Sequence, residues 1–168
     1  MALIVEDGTG LPNAESYASV TEADAYFTAR GQFDAWDAAE DKEVALRLAA
    51  DHLTQAYRNR WAGSRATAVQ AMDWPRVNVK MDGPSGVRDY RVIPRELKSA
   101  QIELALRALA GPLIADLGVE VKRETVDVIT VEYVEGSERQ AQYSAVDWWL
   151  EPLLEGGSGS SMIAVARA

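Results

Sequence analysis

Hydrophobic residues recur at helical spacing in three parts of the chain. The first part follows Ser19 and Glu22, whose spacing is that of a capping box, in which each side chain binds the other residue's backbone amide. We expect a helix over about residues 21–30. A second, longer helix follows Asp41 and continues to about Arg60. Its apolar positions recur at steps of three and four residues: Leu46, Ala49, Leu53 and Ala56.

The third helix is predicted to begin at Pro94, because the missing N–H of proline does no harm in a first helical turn. Its apolar face includes Leu97 and Leu104 and continues to Leu109, and Gly111-Pro112 ends the helix. The connection before it, Ala62–Pro94, is rich in Gly, Pro and Asp. A connection of this length is unusual in a compact domain unless it is functional or becomes ordered in a complex.

Within this connection, Trp74-Pro75 fixes an extended segment that carries an aromatic side chain, since the residue before proline avoids the α region. Such a loop can pack on a neighbouring subunit or on its own bundle, and the sequence leaves both arrangements open. Trp74, Pro75 and Arg76 are the predicted subunit-contact loop.

After the third helix the hydrophobic period changes from 3.6 to 2. We predict an extended segment over Val119–Val134, a turn at 135–137 and a return strand over Gln140–Tyr143. Ser144 is the expected cap of a last short helix, Ala145–Leu154.

These elements predict a mainly α fold. It is a small helical bundle with a β-hairpin at about 119–143, a long inter-helix loop and a flexible C-terminal arm. The bundle domain covers 1–154, and a Gly/Ser hinge with a docking arm covers 155–168.

Charge narrows the classes of function. The 168 residues carry 26 acidic and 17 basic side chains, which gives a net charge of −9. This balance argues against general electrostatic binding to nucleic acid or to an anionic membrane. No stretch is apolar for long enough to span a bilayer, and the start of the chain does not read as a signal peptide. With no cysteine, the chain has no disulfide and no thiolate site.

No catalytic constellation can be assembled from the sequence. His52 is the single histidine and is expected to be a partly buried helix residue, and no Gly-x-Ser-x-Gly or phosphate-binding glycine motif occurs. The acidic residues 34–43 lack the glycine and terminal glutamate of a calcium loop. We therefore expect no enzyme activity, no catalytic residue, no metal and no cofactor.

A mixture of arginine and tryptophan supports an alternative hypothesis, single-stranded nucleic-acid binding. Cations neutralise phosphates and aromatic rings stack on bases. The same residues also fit a helix C-terminus with arginines matched to the dipole and tryptophans packed on the bundle. The candidate contacts are Arg58, Arg60, Trp61 and Arg65, with Trp74 and Arg76 further along.

The chain ends in EGGSGSSMIAVARA, a Gly/Ser hinge followed by a short apolar segment and one arginine. If this segment adds as a strand to a partner's sheet, its hydrogen bonds and apolar burial would contribute roughly 10 kcal/mol. Ordering the segment and part of its hinge costs about as much. One arm is therefore marginal, whereas several arms attached to one body bind at high effective concentration. The predicted docking arm consists of Met162, Ile163, Ala164, Val165, Ala166 and Arg167.

Several phrases occur in a familiar order. They are MALIVEDGTGLPNAESY at the start, QAMDWPR at 70–76, VIPRELKSAQIELALRALAG at 92–111, VKRETVDVITVEY at 121–133 and VDWWLEPLL at 146–154. This order resembles the tailed-bacteriophage neck family often labelled "DnaT-like ssDNA-binding protein", whose members look like the head–tail adaptors beneath the portal. Asp73 departs from the pattern, which has an apolar or small residue before the tryptophan.

The resemblance implies a structural adaptor that forms a ring, commonly a dodecamer, and links the DNA-filled head to a stopper or tail-completion protein. The arm, Met162–Arg167, would then contact the portal protein. DNA would pass through the channel without specific binding, since an acidic wall does not hold phosphates. The expected location is the neck of the virion, and the host cytoplasm during assembly, with no membrane partner. The family label implies instead a single-stranded DNA-binding protein.

Overall fold

The computed structural model describes residues 2–81, 86–114, 123–126, 129–132 and 143–156. The fold is mainly helical, as the sequence predicts. In chain order the elements are α1 (Val20–Thr28), α2 (Phe33–Asp37), α3 (Lys42–Tyr57), β1 (Ser64–Arg65), β2 (Arg76–Val77), α4 (Arg95–Ala108), β3 (Arg123–Val126), β4 (Ile129–Glu132), α5 (Ser144–Leu150) and a 3₁₀ turn (Glu151–Leu153).

Helix α1 begins as the sequence predicts. The amide of Glu22 donates to the hydroxyl of Ser19, and the amide of Ser19 donates to the carboxylate of Glu22. The capping box is therefore confirmed. Helix α4 begins one residue later than predicted, with Pro94 as its N-cap.

The prediction for the end of the chain was wrong in two details. Tyr143, and not Ser144, is the N-cap of α5, and the helix ends at Leu150. A 3₁₀ turn continues it, because Pro152 has no N–H to donate to a carbonyl one α-helical turn earlier.

The described residues contain a hairpin that reverses earlier along the chain than predicted. β3 pairs antiparallel with β4, and Val126 is opposite Ile129, so the chain reverses between them. The predicted extended segment over Val119–Val134 is therefore divided into two paired strands in its described part. The predicted turn at 135–137 and the return strand, up to residue 142, lie outside the described residues. Two neighbouring runs rich in β-branched residues can pair across a two-residue connection, which is the commonest hairpin.

The core lies between the long helices. α4 packs against α3 on one side and against α5 on the other, and α1 contacts both α3 and α4. The side chains of Leu46, Leu53, Leu97 and Leu104 are fully buried in this interior. The sequence predicted all four as apolar-face residues, because their spacing follows the helical period.

Gln101 joins three segments at the centre of the core, where it is 0% exposed. Its Oε1 accepts from the amides of Tyr17 (2.8 Å) and Ala18 (3.2 Å). Its Nε2 donates to the hydroxyl of Ser16 (2.7 Å) and to the carbonyl of Leu46 (2.8 Å). All four hydrogen-bonding positions of the amide are used, and they fix the entry to α1 against α3 and α4.

The N-terminal loop is organised around a buried carboxylate. Glu6 accepts from the amides of Gly8 (2.9 Å), Gly10 (2.8 Å) and Leu11 (2.9 Å). Gly8 has φ +99°, and a Cβ there would collide with the carbonyl of Arg91. The loop therefore docks on the segment that leads into α4, and only glycine fits at the contact.

Candidate nucleic-acid interface

The described part of the long connection between α3 and α4 is ordered within the single chain. Trp61 pairs with Leu154, Ser64 pairs with Val77, and Lys80 pairs with Val87. The last two pairs link the segments 60–65, 76–81 and 86–88 to one another, and the first pair attaches this group to the residue after the 3₁₀ turn. We call the three segments the loop ribbon. The ribbon connects the C-terminal end of α3 to the approach to α4.

Two tryptophans of the candidate nucleic-acid contacts lie inside the molecule. Trp61 is 4% exposed and Trp74 is 1% exposed. Their rings meet edge to face with centroids 6.1 Å apart. Neither ring presents a free face, so neither is available to stack on a base.

Two arginines of the same stretch donate hydrogen bonds to backbone carbonyls of nearby turns. Arg76 donates from Nε to the carbonyl of Ala62 (2.8 Å) and from Nη2 to the carbonyl of Gly63 (2.7 Å). Arg65 donates to the carbonyls of Gln70 and Met72. Burial lowers the pKa of Arg76, although an arginine remains charged at neutral pH.

The predicted subunit-contact loop is thus placed in the interior. Trp74 and Pro75 are buried, and Arg76 is 9% exposed. Asp73, which departs from the resemblance, is also buried, and its Oδ2 has no hydrogen-bond partner among the described residues. Of the two arrangements that the sequence leaves open, packing on the own bundle is the one observed for these side chains. A role in organising subunit contacts stays a prediction.

Arg58 and Arg60 are exposed at the C-terminal end of α3. The Arg60 guanidinium lies 5.0 Å from the centroid of the Tyr57 ring. Arg60 also lines a surface cleft of about 520 Å³. The other lining residues are Asp147, Trp148, Glu151, Leu154, Glu155 and Gly156.

Trp148 is the exposed aromatic residue of this region, and the sequence analysis did not select it. It is 80% exposed, whereas its neighbour Trp149 packs against the core. Val146 and Leu150, four residues apart, are buried and mark the inner face of α5. At about 100° per residue, Trp149 lies about 60° from Val146 around the helix and Trp148 lies about 160° from it. The spacing of these two aliphatic residues could have identified Trp148 as the outward-facing tryptophan.

The charged residues that line the cleft are mostly acidic. The Tyr57 hydroxyl donates to Asp147 Oδ1 at 2.6 Å. Burial raises the pKa of Tyr57, and the neighbouring carboxylate raises it further. Glu151 and Glu155 add two carboxylates, so Arg60 is the one cation among the lining residues.

Basic residues are concentrated along the loop ribbon and its flanks. Residues 58–98 hold nine of the 17 basic side chains and four of the 26 acidic ones. Arg88 forms an ion pair with Glu96 at 2.8 Å. Apart from Arg65, whose guanidinium donates to two backbone carbonyls, five cations of this stretch are exposed and form no ion pair with a described residue: Arg58, Arg60, Lys80, Arg91 and Arg95. The net charge of the whole chain had hidden this local excess.

The described residues contain no group of three or more His, Cys, Asp or Glu side chains placed to hold a metal ion. His52 is 7% exposed and lies edge to face with Tyr143, with ring centroids 5.4 Å apart. No helix in the described ranges has the length and hydropathy needed to cross a membrane. The predicted docking arm, Met162–Arg167, lies outside the described residues.

Fold and surface together define a small helical protein whose long connection forms a basic ribbon beside an exposed tryptophan. The family described as "Putative DnaT-like ssDNA binding protein" matches the chain over residues 1–168, and the chain belongs to this family. No curated protein and no solved structure matches it.

Proposed function

We propose that this chain binds single-stranded DNA through the loop ribbon and its flanks. The observation that carries the proposal is the set of five exposed cations in residues 58–98 that have neither an ion pair to a described residue nor, as Arg65 has, bonds to backbone carbonyls. Cations that are not already neutralised by a carboxylate are free to displace counterions from phosphates. Membership of the DnaT-like family supports the same function.

The aromatic contribution to binding would come from residues other than those in the sequence hypothesis. Tyr90 is 39% exposed, and the Arg91 guanidinium lies 5.4 Å from its ring centroid. Trp148 is exposed beside Arg60. Stacking of a base on an exposed ring contributes about 1–3 kcal/mol and tolerates any sequence. This set replaces Trp61, which is buried.

The test is the salt dependence of binding to a fluorescent oligothymidylate, measured by anisotropy. Replacing Lys80, Arg91 and Arg95 together by glutamine should weaken binding and reduce the salt slope by about 2, since each phosphate contact to a single strand contributes about 0.7. Absence of any binding at low salt would exclude the function.

A matched pair of single variants separates local from overall charge. Arg30 and Arg91 are both exposed and both lie near a tyrosine ring, but Arg30 is outside the basic stretch. Arg91→Gln should weaken binding several-fold, whereas Arg30→Gln should leave it nearly unchanged. Equal losses would mean that total charge, and not the ribbon, governs binding.

A second candidate function is the head–tail adaptor of a phage neck. Large apolar side chains at the surface support an assembly role: Val69 is 70% exposed, Val92 63% and Trp148 80%. Outside residues 58–98 the chain carries 22 acidic and eight basic side chains, which suits the wall of a DNA channel. In this role the partners would be the portal protein, further copies of the chain in a ring and a stopper or tail-completion protein.

The adaptor candidate is tested by binding to purified portal rings. Deleting residues 158–168 should abolish binding and leave the helical circular dichroism signal intact. Unchanged binding after the deletion would exclude the docking arm. Binding to portal rings without binding to single-stranded DNA would favour the adaptor over the first proposal.

A further inference from the structure

The cleft between α5 and the end of α3 has the composition of a docking surface. Trp148 is the most exposed of the large apolar side chains among the described residues. It stands beside Leu154 and three carboxylates, those of Asp147, Glu151 and Glu155. A large aromatic side chain at the edge of a concave surface is the type of residue that dominates protein–protein interfaces.

We propose that this cleft receives residues 162–167 from a second copy of the same chain. Charge complementarity supports this occupant, because the segment carries Arg167 and no acidic residue, whereas the cleft carries three carboxylates. Apolar complementarity supports it as well. Met162, Ile163 and Val165 offer aliphatic surface to the Trp148 ring and to Leu154.

The length of the chain beyond the cleft supports exchange between copies. Gly156 lines the cleft, and the spacer 157–161 separates it from the apolar segment. Five extended residues reach about 17 Å, whereas a chain can reverse its direction within about two residues. The spacer is therefore longer than folding back onto the same cleft requires.

The first experiment is sedimentation velocity on the full chain over a range of concentrations, without DNA or portal. Its outcome is therefore independent of binding to single-stranded DNA and of binding to portal rings. The wild-type chain should associate, and Trp148→Ala should weaken the association about 30-fold, as expected for an interface hot spot. Trp148→Phe, which keeps an aromatic ring, should retain most of the association. A wild-type chain that stays monomeric at every concentration would overturn the proposal.

Charge reversal identifies the segment that occupies the cleft. Arg167→Glu should weaken association about tenfold or more, because it places a fourth carboxylate against three others. The matched control Arg30→Glu makes the same change of charge at an exposed position away from the cleft and should have little effect. Adding Glu151→Arg to the Arg167→Glu chain should restore association. Insensitivity to Arg167→Glu would show that something else occupies the cleft, and the proposal would then be wrong.

A mixing experiment separates exchange between copies from docking within one copy. The Trp148→Ala chain keeps its arm and lacks a competent cleft, whereas the Arg167→Glu chain keeps its cleft and lacks a competent arm. Neither should associate well alone, but a labelled sample of one should form heterodimers with the other. If no heterodimer forms, the contact is within one chain or absent, and either result refutes the inference.

Discussion

Replacing Gln101 by leucine should destabilise the protein more than its small change in volume suggests. The substitution removes four hydrogen bonds from a side chain that is 0% exposed. It also leaves the buried amide of Tyr17 without its acceptor, whereas Ala18 keeps a bond to the hydroxyl of Ser16 (3.2 Å).

The expected magnitude follows from these groups. One unsatisfied buried amide costs about 1–3 kcal/mol, and the other lost bonds add about 1 kcal/mol each at most. We expect the free energy of unfolding to fall by about 3–4 kcal/mol in total. A protein of this size has a free energy of unfolding on the order of 10 kcal/mol, so the variant should still fold.

The assay is urea unfolding followed by helical circular dichroism. With a slope of about 2–3 kcal/mol per molar urea, the midpoint should move down by about 1.5 M. Gln55→Leu is the matched control, because Gln55 is an exposed residue of α3, and its midpoint should move little. A shift for Gln101→Leu no larger than that of Gln55→Leu would refute the argument that this amide holds the entry to α1.

Three further predictions concern other buried groups. Glu6→Gln should lower the free energy of unfolding by about 2 kcal/mol in urea titration, since an amide group cannot accept from Leu11 as well as from both glycine amides. Burial lowers the pKa of His52 below 6.5, although the charge of Asp147 opposes the shift. The contribution of His52 to the free energy of unfolding should therefore be fully present above pH 6.5 and should decrease as the pH falls below that value. Thermal unfolding of wild type and His52→Gln from pH 7 to pH 5 checks this, because the variant should lose that part of the pH dependence. Arg76→Met should lower the midpoint of thermal unfolding, because the carbonyls of Ala62 and Gly63 lose their charged donor. An unchanged midpoint would mean that these two hydrogen bonds do not stabilise the fold.

The sequence was a good guide to the helices because their apolar residues repeat at the helical period. Leu46, Leu53, Leu97 and Leu104 were identified as apolar-face residues from spacing alone, and all are buried. The Ser19–Glu22 capping box was equally readable, since both partners lie within four residues of one another. Local signals of this kind need no knowledge of the rest of the chain.

The candidate site was harder to predict because burial of a loop residue depends on distant segments. Trp61 and Trp74 suit base stacking as residue types, yet pairing of Trp61 with Leu154, 93 positions along the chain, is part of what encloses them. Arg76 suits phosphate binding, but its guanidinium is satisfied by carbonyls 13 and 14 residues earlier. Arg58 and Arg60 are exposed, as the nucleic-acid hypothesis requires, whereas the exposed tryptophan, Trp148, lies far along the chain from the residues that the hypothesis named.

The attachment of Leu154 also has a mechanical consequence. The amide of Ala62 donates to the carbonyl of Leu153 (3.0 Å), and the amide of Glu155 donates to the carbonyl of Arg60 (2.7 Å). Tension applied to the chain beyond Gly156 therefore meets these two bonds before it reaches α5. A pulling force on the C-terminus would thus be borne first by these two hydrogen bonds to the segment after α3. The packing of α5 on α4 would bear the force only after they break.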